Sequence, residues 1–278
     1  MEQVISEIPL NYVTVKVTKS RIDKGLLAIP VSLIDIFPQQ KGCIFIEGHE
    51  GVYEKKTYTP YTSTSRECRI GGLNDFYKRY EIRNKDEIVI QKIDDMRYRI
   101  VPEKEFKENI LDVLSKFENS IDEIEANKYL KEASLLSNLD KNTVLCNEFI
   151  GLSKKEILPR KSEHKILSTS KESVPLSMRK ILLSIYKGEC QISGFTFLMK
   201  NGNPYFELHH INPLGGNHPK NLLVVCPNVH AQFTYANIEQ SFDSDGWLRA
   251  VRFNAENFTV FQIIDTLQLE FKKEIHFT

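Results

Sequence analysis

Over the first hundred residues, apolar and polar positions trade places at period two. YVTVKV (12–17), GLLAIP (25–30), GCIFIEG (42–48), DEIVIQKI (86–93) and YRIV (98–101) each read as a short strand bounded by Gly, Pro or charged turns. Between them, RIGGLNDFYKRY (69–80) puts Leu73, Phe76 and Tyr80 at helical spacing after a glycine pair, so a compact, mostly β domain with one or two short helices is expected. At Glu103 the period lengthens. Ile110, Val113, Leu114, Phe117, Ile121 and Ile124 recur every three or four positions, which predicts an amphipathic helix over 106–124, continued or followed by KYLKEASLL (128–136). Residues 152–174 are polar and aperiodic and read as a linker. A further helix is expected from about Pro175 to Tyr186, with Met178, Ile181, Leu182 and Ile185 on one face and proline in its first turn. YFELHHINP (205–213) alternates as a strand, LLVVC (222–226) is a second, and NVHAQFTYANIE (228–239) follows as a helix. The pattern as a whole is α+β in three stretches: 1–102, 103–174 and 175–278.

Composition adds limits rather than detail. At 278 residues, 41% hydrophobic and 27% charged, the chain can bury two modest cores and shows no sign of disorder. No run approaches the roughly 18 apolar residues of a membrane span. MEQVISEIPL lacks the basic start and apolar stretch of a secretion signal, so the cytoplasm is the expected location and no membrane partner is expected. The five cysteines, Cys43, Cys68, Cys146, Cys190 and Cys226, are odd in number and scattered, as reduced thiols are. Net charge is zero, but residues 8–100 carry 16 Lys and Arg against 12 Asp and Glu. An excess this small points to a polyanionic partner only if it gathers on one face.

The chemistry concentrates in ELHHINPLGGNHPKNLLVVCPNVH (207–230), which holds four of the seven histidines. On a strand, Glu207 and His209 share a face and His210 points the other way. A hairpin followed by a helix returns His230 to the first strand, where it can share an ion with His209. This arrangement resembles the HNH nucleases, a branch of the ββα-metal endonucleases, over roughly residues 186–240. The resemblance implies His209 and His230 as metal ligands and His210 as the catalytic base that takes a proton from water. It also implies Gly215 and Gly216 as the loop glycines, and Asn221, grouped with the catalytic residues, as the side chain that holds the loop. Glu207 is a candidate to orient a ligand or tune the metal. A single divalent ion would act as Lewis acid: Mg²⁺ first, with Mn²⁺ or Ni²⁺ also compatible with imidazole. Where many family members carry four zinc-binding cysteines, this chain has Cys190, Ser193, Cys226 and Val229, so no structural zinc is expected and the two thiols read as buried small hydrophobes. His218 reads as an exposed loop residue.

KVTKSRIDKGLLAIPVSLIDIFP (16–38) and RIGGLNDFYKRYEIRNKDEIVIQKI (69–93) together resemble a B3-type DNA-binding barrel. Such domains grip DNA between two arms, which by position are residues 18–24 and 57–69. The resemblance implies Thr18, Lys19, Ser20, Arg21, Lys24, Tyr61, Ser65, Arg66 and Arg69 as DNA contacts, with Arg179, ahead of the histidine motif, as a phosphate-binding candidate. The two resemblances imply a type II restriction endonuclease acting on double-stranded DNA as a homodimer and leaving 5′-phosphate and 3′-hydroxyl ends. A modification-dependent nuclease, a DNA-binding regulator with a decayed nuclease domain, and a nuclease toxin are the other readings of the same residues.

Overall fold

A computed structural model describes residues 12–48, 51–62, 67–159, 162–165, 168–171 and 173–267. Its contacts divide the chain into two compact units. One comprises residues 1–113 with 133–139, and the other 114–132 with 140–278, so the helical stretch 103–174 is shared between them.

The first unit is built on a seven-stranded, barrel-like sheet. Its strands are β1 (Thr14–Lys16), β2 (Leu26–Ile29), β3 (Gly42–Glu47), β4 (Tyr53–Thr59), β5 (Cys68–Gly71), β6 (Glu87–Lys92) and β7 (Arg97–Pro102). They lie in the order β1-β6-β7-β3-β4-β5-β2, antiparallel throughout except for the β3–β7 pair. Period-two alternation sends Ile44 and Ile46, Ile88 and Ile90, and Tyr98 and Ile100 to one side, where they meet Val15, Leu27, Ile29 and Ile70 in a single core. Two short helices, α1 (Lys19–Ile22) and α2 (Asn74–Arg79), follow β1 and β5 in the chain. The α2 residue that is buried is Tyr77, whose hydroxyl donates to the Leu26 carbonyl. Gly25, in the left-handed region at φ +60°, lies against Asn74, where a Cβ would stand 2.4 Å from the amide oxygen.

The helix expected over 106–124 is two helices. α3 (Glu103–Glu118) buries Phe106, Ile110, Val113, Leu114 and Phe117. The chain then breaks and restarts as α4 (Glu123–Ser137), because the Asp122 carboxylate accepts from the Glu125 amide while Glu125 accepts from the Ile121 amide. Ile121 and Ile124, read as part of the apolar stripe, are instead 85% and 82% exposed. The stretch read as a linker is also structured in part. It contains the end of α5 (Lys141–Ser153), a helix capped by Asp140, and a hairpin of β8 (Ser162–Lys165) and β9 (Ser168–Lys171).

In the second unit, α6 (Leu176–Tyr186) buries Met178, Ile181, Leu182 and Ile185 as its spacing requires. β10 (Glu207–His210) pairs antiparallel with β11 (Leu222–Val225), and α7 (Pro227–Tyr235) follows at once. A three-stranded sheet of β12 (Ile238–Phe242), β13 (Leu248–Phe253) and β14 (Glu256–Thr259) packs behind them. Leu223, Val225, Val229, Phe233, Leu248, Val251 and Phe253 form the shared core. Buried Gln191 extends the hairpin. Its side-chain oxygen accepts from the Val224 amide, and its amide group donates to the Phe261 carbonyl.

Candidate functional site

The β10–β11 register sets Glu207 opposite Val225 and His209 opposite Leu223. One face of β10 therefore offers Glu207 and His209 to α7, and the other offers His210 to the loop. On the helix side, His209 stacks flat on Phe233, centroids 4.0 Å apart, and stands 5.3 Å from the His230 ring, edge to face. Burial, then the neighbouring His230 and His210, pushes the His209 pKa down to about 4, so its imidazole is neutral at physiological pH and keeps a lone pair. The Glu207 carboxylate meets His230 Nδ1 at 2.6 Å and accepts from the Tyr205 hydroxyl at 2.8 Å. The His230 contact, then that of Tyr205, holds the Glu207 pKa below the usual glutamate value, so it is a carboxylate. A carboxylate on Nδ1 holds the ring in place, the arrangement that orients imidazole toward a metal. The donor set suits a divalent ion held by the imidazoles of His209 and His230. Among the described residues, no group of three or more His, Cys, Asp or Glu is disposed around a common ion position.

On the loop side, His210 Nε2 lies 2.9 Å from Asn217 Oδ1, and the Asn217 amide donates to the Ser173 carbonyl at 3.1 Å. That second bond settles which way the amide faces. An amide oxygen only accepts, so in this contact His210 Nε2–H donates to Asn217 Oδ1. Asn221 is 4% exposed, and its side chain contacts only backbone. Its oxygen accepts from the Asn212 amide, and its nitrogen donates to the carbonyls of Asn212 and Gly216. Although grouped with the catalytic residues by motif, it braces the loop that carries Asn217. Gly215 and Gly216 are needed for room: a Cβ would lie 2.6 Å from Asn221 Nδ2 at the first and 2.7 Å from the Leu158 carbonyl oxygen at the second. Leu158 accepts from the Gly216 amide at 2.7 Å, so the segment read as a linker supports the loop.

His218 corrects another expectation. It is buried, at 7% exposure; its Nε2–H donates to the Lys155 carbonyl, and its Nδ1 accepts from the Lys220 amide. It ties the loop to the end of α5. Cys190 and Cys226 are buried thiols in the apolar core, as expected. The Ser193 amide donates to Cys190 Sγ, and the Ser193 hydroxyl lies 3.6 Å from Cys226 Sγ.

In the first unit, α1 carries Lys19, Ser20 and Arg21. Thr18, Lys19, Ser20 and Lys24 are exposed, and Tyr61 is 44% exposed. Arg21 and Arg69 converge on Glu67, at 2.6 Å and 2.5 Å, which joins the two expected arms. No sequence signal singled out Glu67. Ser65 and Arg66 lie outside the described residues. Arg179, on α6, sits over the Phe206 ring at 4.2 Å and donates to the Phe206 carbonyl.

No family model matches the chain. Over 60 residues it is 37% identical to the Type IV methyl-directed restriction enzyme EcoKMcrA of Escherichia coli strain K12. That match covers 20% of this chain and 22% of the enzyme, so the chain spans about a fifth of that relative's length. Among solved structures, the Arabidopsis FUS3-DNA complex is similar at 18% identity with a TM-score of 0.26, over 31% of this chain and 91% of that chain. No helix among the described residues is long and apolar enough to cross a membrane.

Proposed function

We propose that the chain is a metal-dependent DNA endonuclease of the HNH type, with a B3-like first unit that reads DNA. The observation that carries this reading is the division of labour across β10. His209 faces α7, where the Glu207 carboxylate orients His230, and a third imidazole, His210, faces the loop against Asn217. His209 and His230 would hold the divalent ion, which supplies Lewis acidity to a phosphate oxygen. The His210 imidazole takes the proton from the attacking water while Asn217 keeps the ring from turning. As the HNH resemblance implies, water's oxygen bonds to phosphorus while the bond to the 3′ oxygen breaks and that oxygen takes a proton from solvent, leaving 5′-phosphate and 3′-hydroxyl ends.

A second reading, a modification-dependent endonuclease, is favoured by the likeness to a methyl-directed restriction enzyme. In it, the convergent Arg21, Glu67 and Arg69 and the exposed α1 residues serve a site that contains a methylated base. Both readings share one test. Plasmid from methylating and non-methylating hosts is incubated with the full chain and Mg²⁺ or Mn²⁺, with chelator and His210→Ala as controls. Cutting should require the ion and fall at least about 10³-fold in His210→Ala while DNA binding persists. Near-normal cutting by His210→Ala removes the assignment, and cutting confined to methylated plasmid selects the second reading.

A further inference from the structure

Between Gly188 and the first site residue, the chain makes a small arm whose surface is the reverse of what solvent favours. Phe195, Phe197, Leu198 and Met199 are 54%, 44%, 68% and 37% exposed, on four of five consecutive positions. An apolar row this dense on an exposed segment marks an interaction surface. The arm is also built to be rigid. The Met199 amide donates to the Asn203 carbonyl, the Gly202 amide to Met199, and the Tyr205 amide to Phe197, with Gly202 in the left-handed region at the turn. At its base, Pro204 packs on Gly188 so closely that a Cβ there would stand 2.6 Å away.

Three rings line the arm. Phe195 and Phe197 have centroids 6.1 Å apart, and Phe197 stacks on Tyr205 at 5.3 Å and 24°. The row ends at the candidate metal site, because the Tyr205 hydroxyl donates to the Glu207 carboxylate that orients His230. From Cys190 to Phe206 the chain has no acidic residue, and its single charge is Lys200. Arg179 adds a second cation at Phe206. Flat apolar rings, positive charge and no carboxylate suit a polyanion that also has π-faces, and the rings abut the residues that would hold the ion.

We infer that the Phe195–Tyr205 arm is a base-stacking wedge: Phe195 and Phe197 insert against unstacked bases of the DNA beside the phosphate held at His209 and His230. Apolar wedges part base steps at a cost of a few kcal/mol per step, recovered through the stacking they gain. The inference rests on the nuclease reading for its substrate and deepens it by naming the surface that distorts the DNA next to the cut. A rigid arm serves this purpose because little side-chain or backbone freedom is lost on insertion.

The test uses the full chain in three forms: wild type, Phe195→Ala with Phe197→Ala, and Phe197→Trp in a His210→Ala background. With plasmid and Mn²⁺, the double alanine variant should cut roughly 10- to 100-fold more slowly than wild type, the loss expected for one or two stacked bases. Its thermal unfolding should be unchanged. Permanganate, which oxidises unstacked thymines, should mark bases beside the bound site with the His210→Ala protein, and the marking should vanish when the two alanines are added. Indole emission of the Phe197→Trp protein should be quenched by a mixed-sequence duplex. Equal cutting by wild type and the double variant, with unchanged permanganate marking, overturns the wedge and leaves the nuclease reading standing. A change of mass in light scattering for the double variant without DNA, with no indole quenching, also overturns it and makes the arm a contact between copies. Absence of cutting by wild type on any plasmid overturns the nuclease reading, and indole quenching then still decides the wedge.

Discussion

A histidine works as a base only if its proton sits on the far nitrogen and its ring is held. On the proposed function, His210 would meet both conditions through Asn217, whose own amide is anchored on the Ser173 carbonyl. Replacing Asn217 with Ala should therefore lower cutting by roughly 10- to 100-fold, the usual cost of removing an orienting partner. Asn217 is half-buried and its side chain bonds the His210 ring and the Ser173 carbonyl, so the melting temperature should move by no more than a few degrees. Cleavage rates together with circular-dichroism melts check both halves of this expectation. At this scale much of the site was legible in the sequence. Alternation along ELHH alone places Glu207 and His209 together and His210 opposite, and the structure shows that division. Asn217 and Tyr205 were not legible, because their contacts depend on loop paths. Asn217 reaches His210 only because Gly216 lets the loop press against Leu158, 58 residues earlier in the chain. His218 was misread for the same reason: its partner, the Lys155 carbonyl, belongs to a segment with no periodic signal.

Elements fixed by a strong local period follow the sequence, and those fixed by capping or distant packing do not. α6 begins and ends as its apolar spacing predicts. The expected helix over 106–124 breaks instead, where an Asp122–Glu125 cap outweighs the continuing stripe of Ile121 and Ile124. α5 escaped notice because it is buried on several sides at once, with Val144, Leu145, Asn147, Glu148, Phe149 and Ile150 all inside, and so shows no single face. Its Glu148 is the costly member. Burial, then the Glu118 carboxylate, pushes its pKa up to about 7, with Lys155 opposing. The folded state thus binds a proton that the unfolded chain has released between the ordinary glutamate range and about pH 7. Stability should be greatest below that window and decline as pH rises through it. Glu148→Gln keeps the shape and removes the titration. At pH 8 it should stabilise the second unit by about 2–3 kcal/mol, several degrees in melting temperature, and at pH 5 it should change little. Melts of both proteins from pH 5 to 8 decide the matter: parallel curves would mean that Glu148 does not titrate in this window.

For the whole molecule, the question is how one site could break a duplex. Among the described residues there is one grouping of His209, His210 and His230, and on the proposed function it would supply one base and the ligands for one ion, the chemistry of one strand. The strands of a duplex run antiparallel, so under the proposed function a second site of the same hand would be related to the first by a two-fold axis, which a homodimer on the DNA would supply. The β sheet was foreseeable in outline from its period-two runs, and the approach of His209 to His230 from their spacing. The assembly is not written in one chain, because a symmetric contact needs no local pattern. It can be read from products instead. Supercoiled plasmid should pass to linear form with little nicked circle, and light scattering on DNA should give the mass of two chains. Mixing active chain with an excess of His210→Ala should place one dead site in most dimers and turn the product from linear to nicked circle. If excess inactive chain only slows the reaction and the product stays linear, each chain cuts both strands by itself in sequence.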